Sequence, residues 1–203
     1  INSMQKILII GCGRVAEHYI FLSKKIFSKK NKIVAVCDLN KKKAMRFSNF
    51  FNCNFYLDFE LAIKNESPTL CIILTPSGTH YELAMFCLKK RINTIVEKPM
   101  AMTITECTKL INYSKKNKIL FSTIFQNRFN PSIVYVKKLI NQGILGKIIT
   151  SNIRLRWARF QDYYNDGWHG TWKNDGGVIN QQCIHHIDIL NLMNGPIYEV
   201  SSY

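Results

Sequence analysis

With 203 residues, 47% hydrophobic and 20% charged, the chain has a globular composition and length enough for one large or two small domains. Its 28 Lys and Arg against 13 Asp and Glu give a net charge of +15, but the lysines form short runs where helices should end, and none is interleaved with stacking aromatics, which argues against a nucleic-acid groove. No run approaches the ~20 apolar residues of a membrane span, and seven scattered cysteines without a CxxC pair read as reduced, buried side chains of a cytoplasmic protein, not as a disulfide framework or zinc site.

From Gln5 to about Phe125, short β-branched runs alternate with amphipathic segments, the pattern of βαβ units and a parallel sheet. Strands are expected at Lys6 to Ile10, Ile33 to Cys37, Asn54 to Tyr56, Leu70 to Leu74, Ile92 to Val96 and Ile119 to Phe125. Helices are expected at Val15 to Phe27, Lys42 to Phe50, His80 to Lys89 and Thr103 to Lys115, the last opening on the capping-box spacing Thr103 to Glu106. After Asn130-Pro131 the pattern changes. A helix over Ser132 to Asn141 should end at Gly143, Lys147 to Trp157 alternates as a long strand, and an aromatic, glycine-rich loop runs from Arg159 to Gly177. A last helix, Val178 to Met193, stops at Asn194-Gly195-Pro196, and Ile197 to Tyr203 reads as the start of another strand. The expected class is α/β: a doubly wound Rossmann sheet over 1–125, then an α+β domain with an open sheet over 126–203, incomplete at Tyr203 because so few strands cannot make an independent sheet.

Three constellations carry chemistry. Gly11-x-Gly13-x-x-Ala16 follows a strand and opens a helix, so its backbone can approach a pyrophosphate that the helix N-terminus then faces. Asp38 ends the second strand, 25 residues after Gly13, at the spacing of a carboxylate that accepts ribose hydroxyls, which favours NAD over NADP. Lys41 to Lys43 pull the other way. Thr75 to His80 and Glu97-Lys98-Pro99 end further strands on the ligand side of such a sheet, and Pro99 biases Lys98 toward an extended backbone. Finally, Gln181, His185 and Asp188 fall on one face of the last helix, after Gly176-Gly177, making His185 a candidate general base whose tautomer its neighbours set. Adjacent His185 and His186 project about 100° apart, so no metal is expected.

GxGRxA, the acidic strand end, TPxxxH, EKP and GGxxxxQxxxHxxD, in this order, resemble the Gfo/Idh/MocA family of NAD(P)-dependent oxidoreductases. The stretches from Gln126 to Pro131 and from Arg154 to Gly177 resemble its WlbA/WbpB-type branch, which oxidises C3 of UDP-N-acetylglucosaminuronic acid for surface polysaccharides. The resemblance implies Lys98, His185 and Gln181 as catalytic residues. It implies Gly11, Gly13, Arg14, Val15, Asp38, Thr75, Pro76, His80, Glu97, Lys98 and Gln126 around an NAD, with NADP disfavoured. Arg128, Arg159, Trp172 and Asn180 would meet a sugar or UDP-sugar. It further implies a cis Lys98–Pro99 bond and a homo-oligomer, dimer or tetramer, if the C-terminal sheet is complete, with no nucleic-acid or membrane partner. Gln181 departs from the Asp or Asn usual four residues before the histidine, and His169 stands where an arginine is expected. Rival readings are a dehydrogenase of a free polyol or monosaccharide, and a truncated nucleotide-binding protein without activity.

Overall fold

A computed structural model describes residues 4–26 and 30–202, which fall into two compact units, 1–124 and 125–203. In the first unit the chain runs β1 (Gln5–Ile10), α1 (Ala16–Ile26), β2 (Asn31–Cys37), α2 (Lys41–Phe51), β3 (Asn54–Tyr56), α3 (Phe59–Glu66), β4 (Leu70–Ile73), α4 (His80–Lys89), β5 (Asn93–Val96), α5 (Ile104–Asn117) and β6 (Phe121–Thr123). The strands form one sheet in the order β3-β2-β1-β4-β5-β6, and every pairing is parallel. This is a doubly wound, Rossmann-like α/β fold.

Both faces of the sheet are covered, which is why its strands read as nearly continuous apolar runs. Leu8, Ile10, Cys71, Ile73 and Val96 pack with Ala62, Leu88 and Leu110 from α3, α4 and α5. Ile7, Ile9, Ile33, Val36 and Ile72 pack with Ala16 and Phe47 from α1 and α2. Helix ends follow local chemistry: Asn40 caps α2 through the Lys43 N–H, and Thr103 and Glu106 form the expected capping box on α5. The sequence reading missed α3. Its signal was Asp58, whose carboxylate accepts from the N–H groups of Glu60 and Leu61, followed by buried Ala62 and Ile63. Phe27, the expected end of α1, lies outside the described residues.

The second unit holds α6 (Pro131–Asn141), a short α7 (Gln161–Tyr164) and α8 (Ile184–Asn194). Pro131 occupies the first turn of α6, where its missing N–H costs nothing. The strand expected over Lys147 to Trp157 is absent, as is one over 197–202; both segments have no regular secondary structure. Alternation marks a segment able to pair, but a strand exists only as part of a ladder, and no ladder involves these residues among those described. Several of their apolar positions stay in solvent: Ile149 is 83% exposed. The final helix also differs from expectation, opening with a π-helical turn over Ile179–Cys183 before α8 begins.

Candidate functional site

Because all six strands run parallel, their C-terminal ends share one edge, and the strand order reverses between β1 and β4, the switch point where such sheets hold ligands. Gly11 leaves β1 at φ +98°, its N–H bonded to the Cys37 carbonyl at 2.8 Å. A Cβ there would lie 2.7 Å from the carbonyl carbon of Leu74, which is backbone and cannot step aside. At Gly13 a Cβ would meet nothing within 4 Å, so the space over the turn is open to a ligand. Arg14 and Val15, exposed, lead into α1. Half-buried Asp38 closes this corner: one carboxylate oxygen accepts from the Cys12 N–H at 2.8 Å and the other from the Asn40 N–H at 2.7 Å. Each oxygen keeps a lone pair for a ribose hydroxyl. The thiols of Cys12 and Cys37 are pushed up to about 12 by burial, with Asp38 adding to the effect, so neither is a nucleophile at neutral pH.

Two further loops end on this edge. After β4, half-buried Thr75 and Pro76 lead into a 3₁₀ turn, braced by a 2.7 Å bond between the Thr75 and Thr79 hydroxyls. After β5 come buried Glu97 and half-buried Lys98, and the Lys98–Pro99 peptide is cis, as the resemblance implies. The Glu97 carboxylate accepts from the Lys98 N–H at 3.0 Å. Burial pushes its pKa up, against the Lys98 N–H bond and the charges of Lys98 and His18. Tyr19 is likewise held above its ordinary value, by burial first and then by Glu97. A carboxyl whose folded pKa is raised adds stability below its unfolded pKa and loses it as pH rises through the folded value. Glu97→Gln, which keeps the acceptor, should therefore raise the thermal midpoint near pH 7, and calorimetry near pH 4 should find the two proteins alike.

His80 is corrected by the structure. Expected around the cofactor, it is 1% exposed, with Nδ1 2.7 Å from the Pro99 carbonyl and Nε2 2.8 Å from the Thr75 carbonyl. Both ring nitrogens are engaged by backbone, so the ring has no edge to offer a ligand.

In the second unit, Gln181 lies in the π turn and His185 in the first turn of α8, both buried, with half-buried Asn180 beside them. π turns interrupting α-helices are rare and concentrate at functional sites. Phe125 meets the His185 ring edge to face at 6.3 Å between centroids. Asp188, expected to flank His185, binds Arg128 with both oxygens, one at 2.7 Å from Nε. Arg128, expected on the substrate, thus has two donors committed to α8, and its guanidinium lies 5.5 Å over Phe125. Gln126, which opens the 3₁₀ turn Gln126–Phe129 that carries Arg128, is exposed, as is Trp172 at 87%.

Sequence reasoning named Arg159 but missed what holds it. Its guanidinium stacks 3.8 Å over Trp157 and 5.2 Å from Tyr163. Tyr163 packs on His169 at 4.0 Å, Trp168 packs on the other side at 3.6 Å, and His169 Nδ1 meets the Asp166 carboxylate at 2.5 Å. Burial pushes the Asp166 pKa up, but the His169 bonds and charge outweigh it and hold it below the ordinary carboxylate value. The density of aromatics from Trp157 to Trp172 was the readable signal. An arginine stacked on flat rings keeps its N–H edge directed and suits planar anions. Among the described residues no three His, Cys, Asp or Glu converge as metal ligands, and no helix is long and apolar enough to cross a membrane.

The first unit fits a dinucleotide by its donors and space: the open Gly13 turn at the start of α1 suits a pyrophosphate, and Asp38 suits ribose hydroxyls. Residues 5–125 match the model of an oxidoreductase family with an NAD-binding Rossmann fold, and residues 133–203 match a GFO/IDH/MocA C-terminal domain. The WlbA dehydrogenase of Bordetella pertussis, solved with NADH and UDP-GlcNAcA, is similar at a TM-score of 0.91 with 25% identity, over 96% of this chain and 56% of that one. The WlbA dehydrogenase of Chromobacterium violaceum, solved with the same two molecules, is similar at 0.90 with 26% identity, over 97% and 56%. An inositol 2-dehydrogenase/D-chiro-inositol 3-dehydrogenase of Lactiplantibacillus plantarum is 25% identical over 91% of this chain and 51% of its own length. The chain thus spans about half the length of these relatives.

Proposed function

We propose, from the premise that this chain belongs to the Gfo/Idh/MocA family of NAD-binding oxidoreductases, that it serves the NAD-linked oxidation of a secondary alcohol on a sugar. The substrate we favour is a UDP-N-acetyl-hexuronic acid, oxidised at C3 for surface-polysaccharide sugars. The observation that carries this reading is the likeness, at TM-scores of 0.90 and 0.91, to two WlbA dehydrogenases solved with NADH and UDP-GlcNAcA. Arg159, stacked in its aromatic frame, supplies the cation that a carboxylate or pyrophosphate requires.

When bound, NAD supplies a hydride acceptor at C4 of its nicotinamide. The protein's part is to hold the nucleotide, place the sugar and move one proton. Gly11, Gly13, Arg14, Val15 and Asp38 hold the pyrophosphate and ribose, and Thr75, Pro76, Glu97 and Gln126 shape the remaining edge. Lys98 donates to the reacting oxygen and steadies the negative charge that grows on it. His185 takes the hydroxyl proton, and Gln181 orients His185 or a sugar hydroxyl. Arg128, Arg159, Trp172 and Asn180 are the substrate-side residues. We place the protein in the cytoplasm and expect a homo-oligomer, dimer or tetramer, where the C-terminal sheet is complete.

A thermal-shift and turnover screen tests the reading, because a ligand of the native state alone raises stability. NADH and UDP-N-acetylglucosaminuronic acid should each stabilise, UDP-N-acetylglucosamine should do less for want of the carboxylate, and only the uronic acid should reduce NAD. Oxidation of myo-inositol with indifference to the UDP-sugars would replace this substrate with a free polyol. Cofactor choice follows from Asp38: NAD(H) should bind at least about tenfold tighter than NADP(H), and Asp38→Ala should narrow the gap. Equal affinities in the unaltered protein would instead point to Lys41 to Lys43 as a phosphate site.

A further inference from the structure

We propose that His80 is a positioning residue, a buried clip that fastens the Thr75–Thr79 loop to the turn carrying Lys98 so that the two loops on the ligand edge hold one another in place. Its ring spans the Thr75 carbonyl after β4 and the Pro99 carbonyl after β5, at 2.8 and 2.7 Å. Both partners are acceptors. A neutral imidazole has one N–H and one lone pair, so it bonds one carbonyl while turning a lone pair on the other. Only the doubly protonated ring bonds both, which makes the strength of the clip depend on a proton.

The surroundings set where that balance lies. Burial pulls the ring's pKa down, the two carbonyls pull it up, Lys98 opposes the charge, and the net direction is downward. β4 and β5 carry no charged residue, nor does the 3₁₀ turn before α4. α5, which also packs on α4, carries Glu106 and Lys109 in its first two turns, and α4 itself carries Glu82. Among the described residues the ring's hydrogen-bond partners are the Thr75 and Pro99 carbonyls, with no carboxylate bonded to it. The unfolded chain binds that proton more readily than the folded one, so acidification through the histidine range tightens the edge while lowering overall stability. The role rests on reading this edge as the nucleotide side, but the clip itself is testable without any ligand.

Hydrogen exchange on the ligand-free chain provides that test. His80→Phe keeps a ring of similar bulk and offers neither carbonyl a proton. Amides within 75–79 and 97–101 should exchange together, about tenfold faster, while those of β1 and β4 keep their rates. NADH affinity, read by its fluorescence, should fall about tenfold, and His80→Gln, able to reach one carbonyl, should lie between. Acceleration in one loop only, in neither, or equally across the sheet would overturn the clip. If the phenylalanine variant does not fold, the unaltered chain decides through the ring ¹⁵N shifts of His80. Titrated to its acid form, the ring should show two N–H nitrogens while the amides of 75–79 and 97–101 slow together; protonation without that joint slowing refutes the clip. Loss of the clip with NADH affinity intact would refute the positioning role while leaving the proposed activity standing.

Discussion

In a chain that carries the complete C-terminal sheet, Lys98→Ala and His185→Ala should each lower kcat by at least about a hundredfold while NAD affinity stays within a few fold. The expectation follows from the work assigned to each group. Positioned acid–base help is worth typically ~10²–10⁴-fold, and a donor on a developing oxyanion ~10²–10³-fold. Neither residue lies in the Gly11 to Ala16 turn or at Asp38, to which the proposal gives the nucleotide's pyrophosphate and ribose, so binding should survive the substitutions. If the proposed roles hold, the double variant should lose less than the product of the single losses, as expected of two groups serving one step. Near-normal turnover in His185→Ala would move the base to Asn180, to a water held by Gln181, or to Lys98 itself. A large rise in the NAD dissociation constant for Lys98→Ala would make that lysine a binding group.

The two glycines of the turn should respond to the same substitution in opposite ways. Gly11→Ala forces a Cβ to 2.7 and 2.8 Å from the Leu74 carbonyl group and into a backbone with φ +98°. The backbone conformation costs about 1–2 kcal/mol and the overlap about 1–3 more. The thermal midpoint should therefore fall by on the order of 10 °C, and NADH affinity should fall by about a hundredfold as β1 and β4 are pushed apart. Gly13→Ala meets nothing in the chain. Its midpoint should stay within about 2 °C, yet NADH should bind at least about tenfold more weakly, because the new methyl group would occupy the space the proposal gives the pyrophosphate. Scanning calorimetry and fluorescence titration of the two variants side by side separate a fold glycine from a ligand glycine. A stable Gly11→Ala, or a Gly13→Ala with full affinity, would contradict the assignment.

What the sequence made legible was local. The alternation of short β-branched runs with amphipathic segments placed the six strands, and the Thr103–Glu106 spacing marked the start of α5 to within a residue. What it concealed depended on contacts distant in the chain. Alternation from Lys147 to Trp157 describes a surface that could pair, but pairing is a property of two segments. Arg128 and Asp188 are 60 residues apart, and nothing in either neighbourhood announces that they bind one another. His80 stands at the right strand end for a ligand residue, but its chain position does not say that the ring turns inward onto two carbonyls. The stacked frame around Arg159 was visible as composition and hidden as geometry, because which ring faces which depends on loop folding.

The π turn at Ile179–Cys183 is a phase boundary in the last helix. It holds one more residue than an α turn would, so every side chain after it is rotated by about 100° from where an unbroken helix would put it. The residues of α8 and the polar residues of the turn therefore belong to two separate angular settings. Substitutions within α8 can leave the aim of Asn180 and Gln181 alone, whereas deleting a single residue from the turn would swing one set past the other without changing any side chain in either.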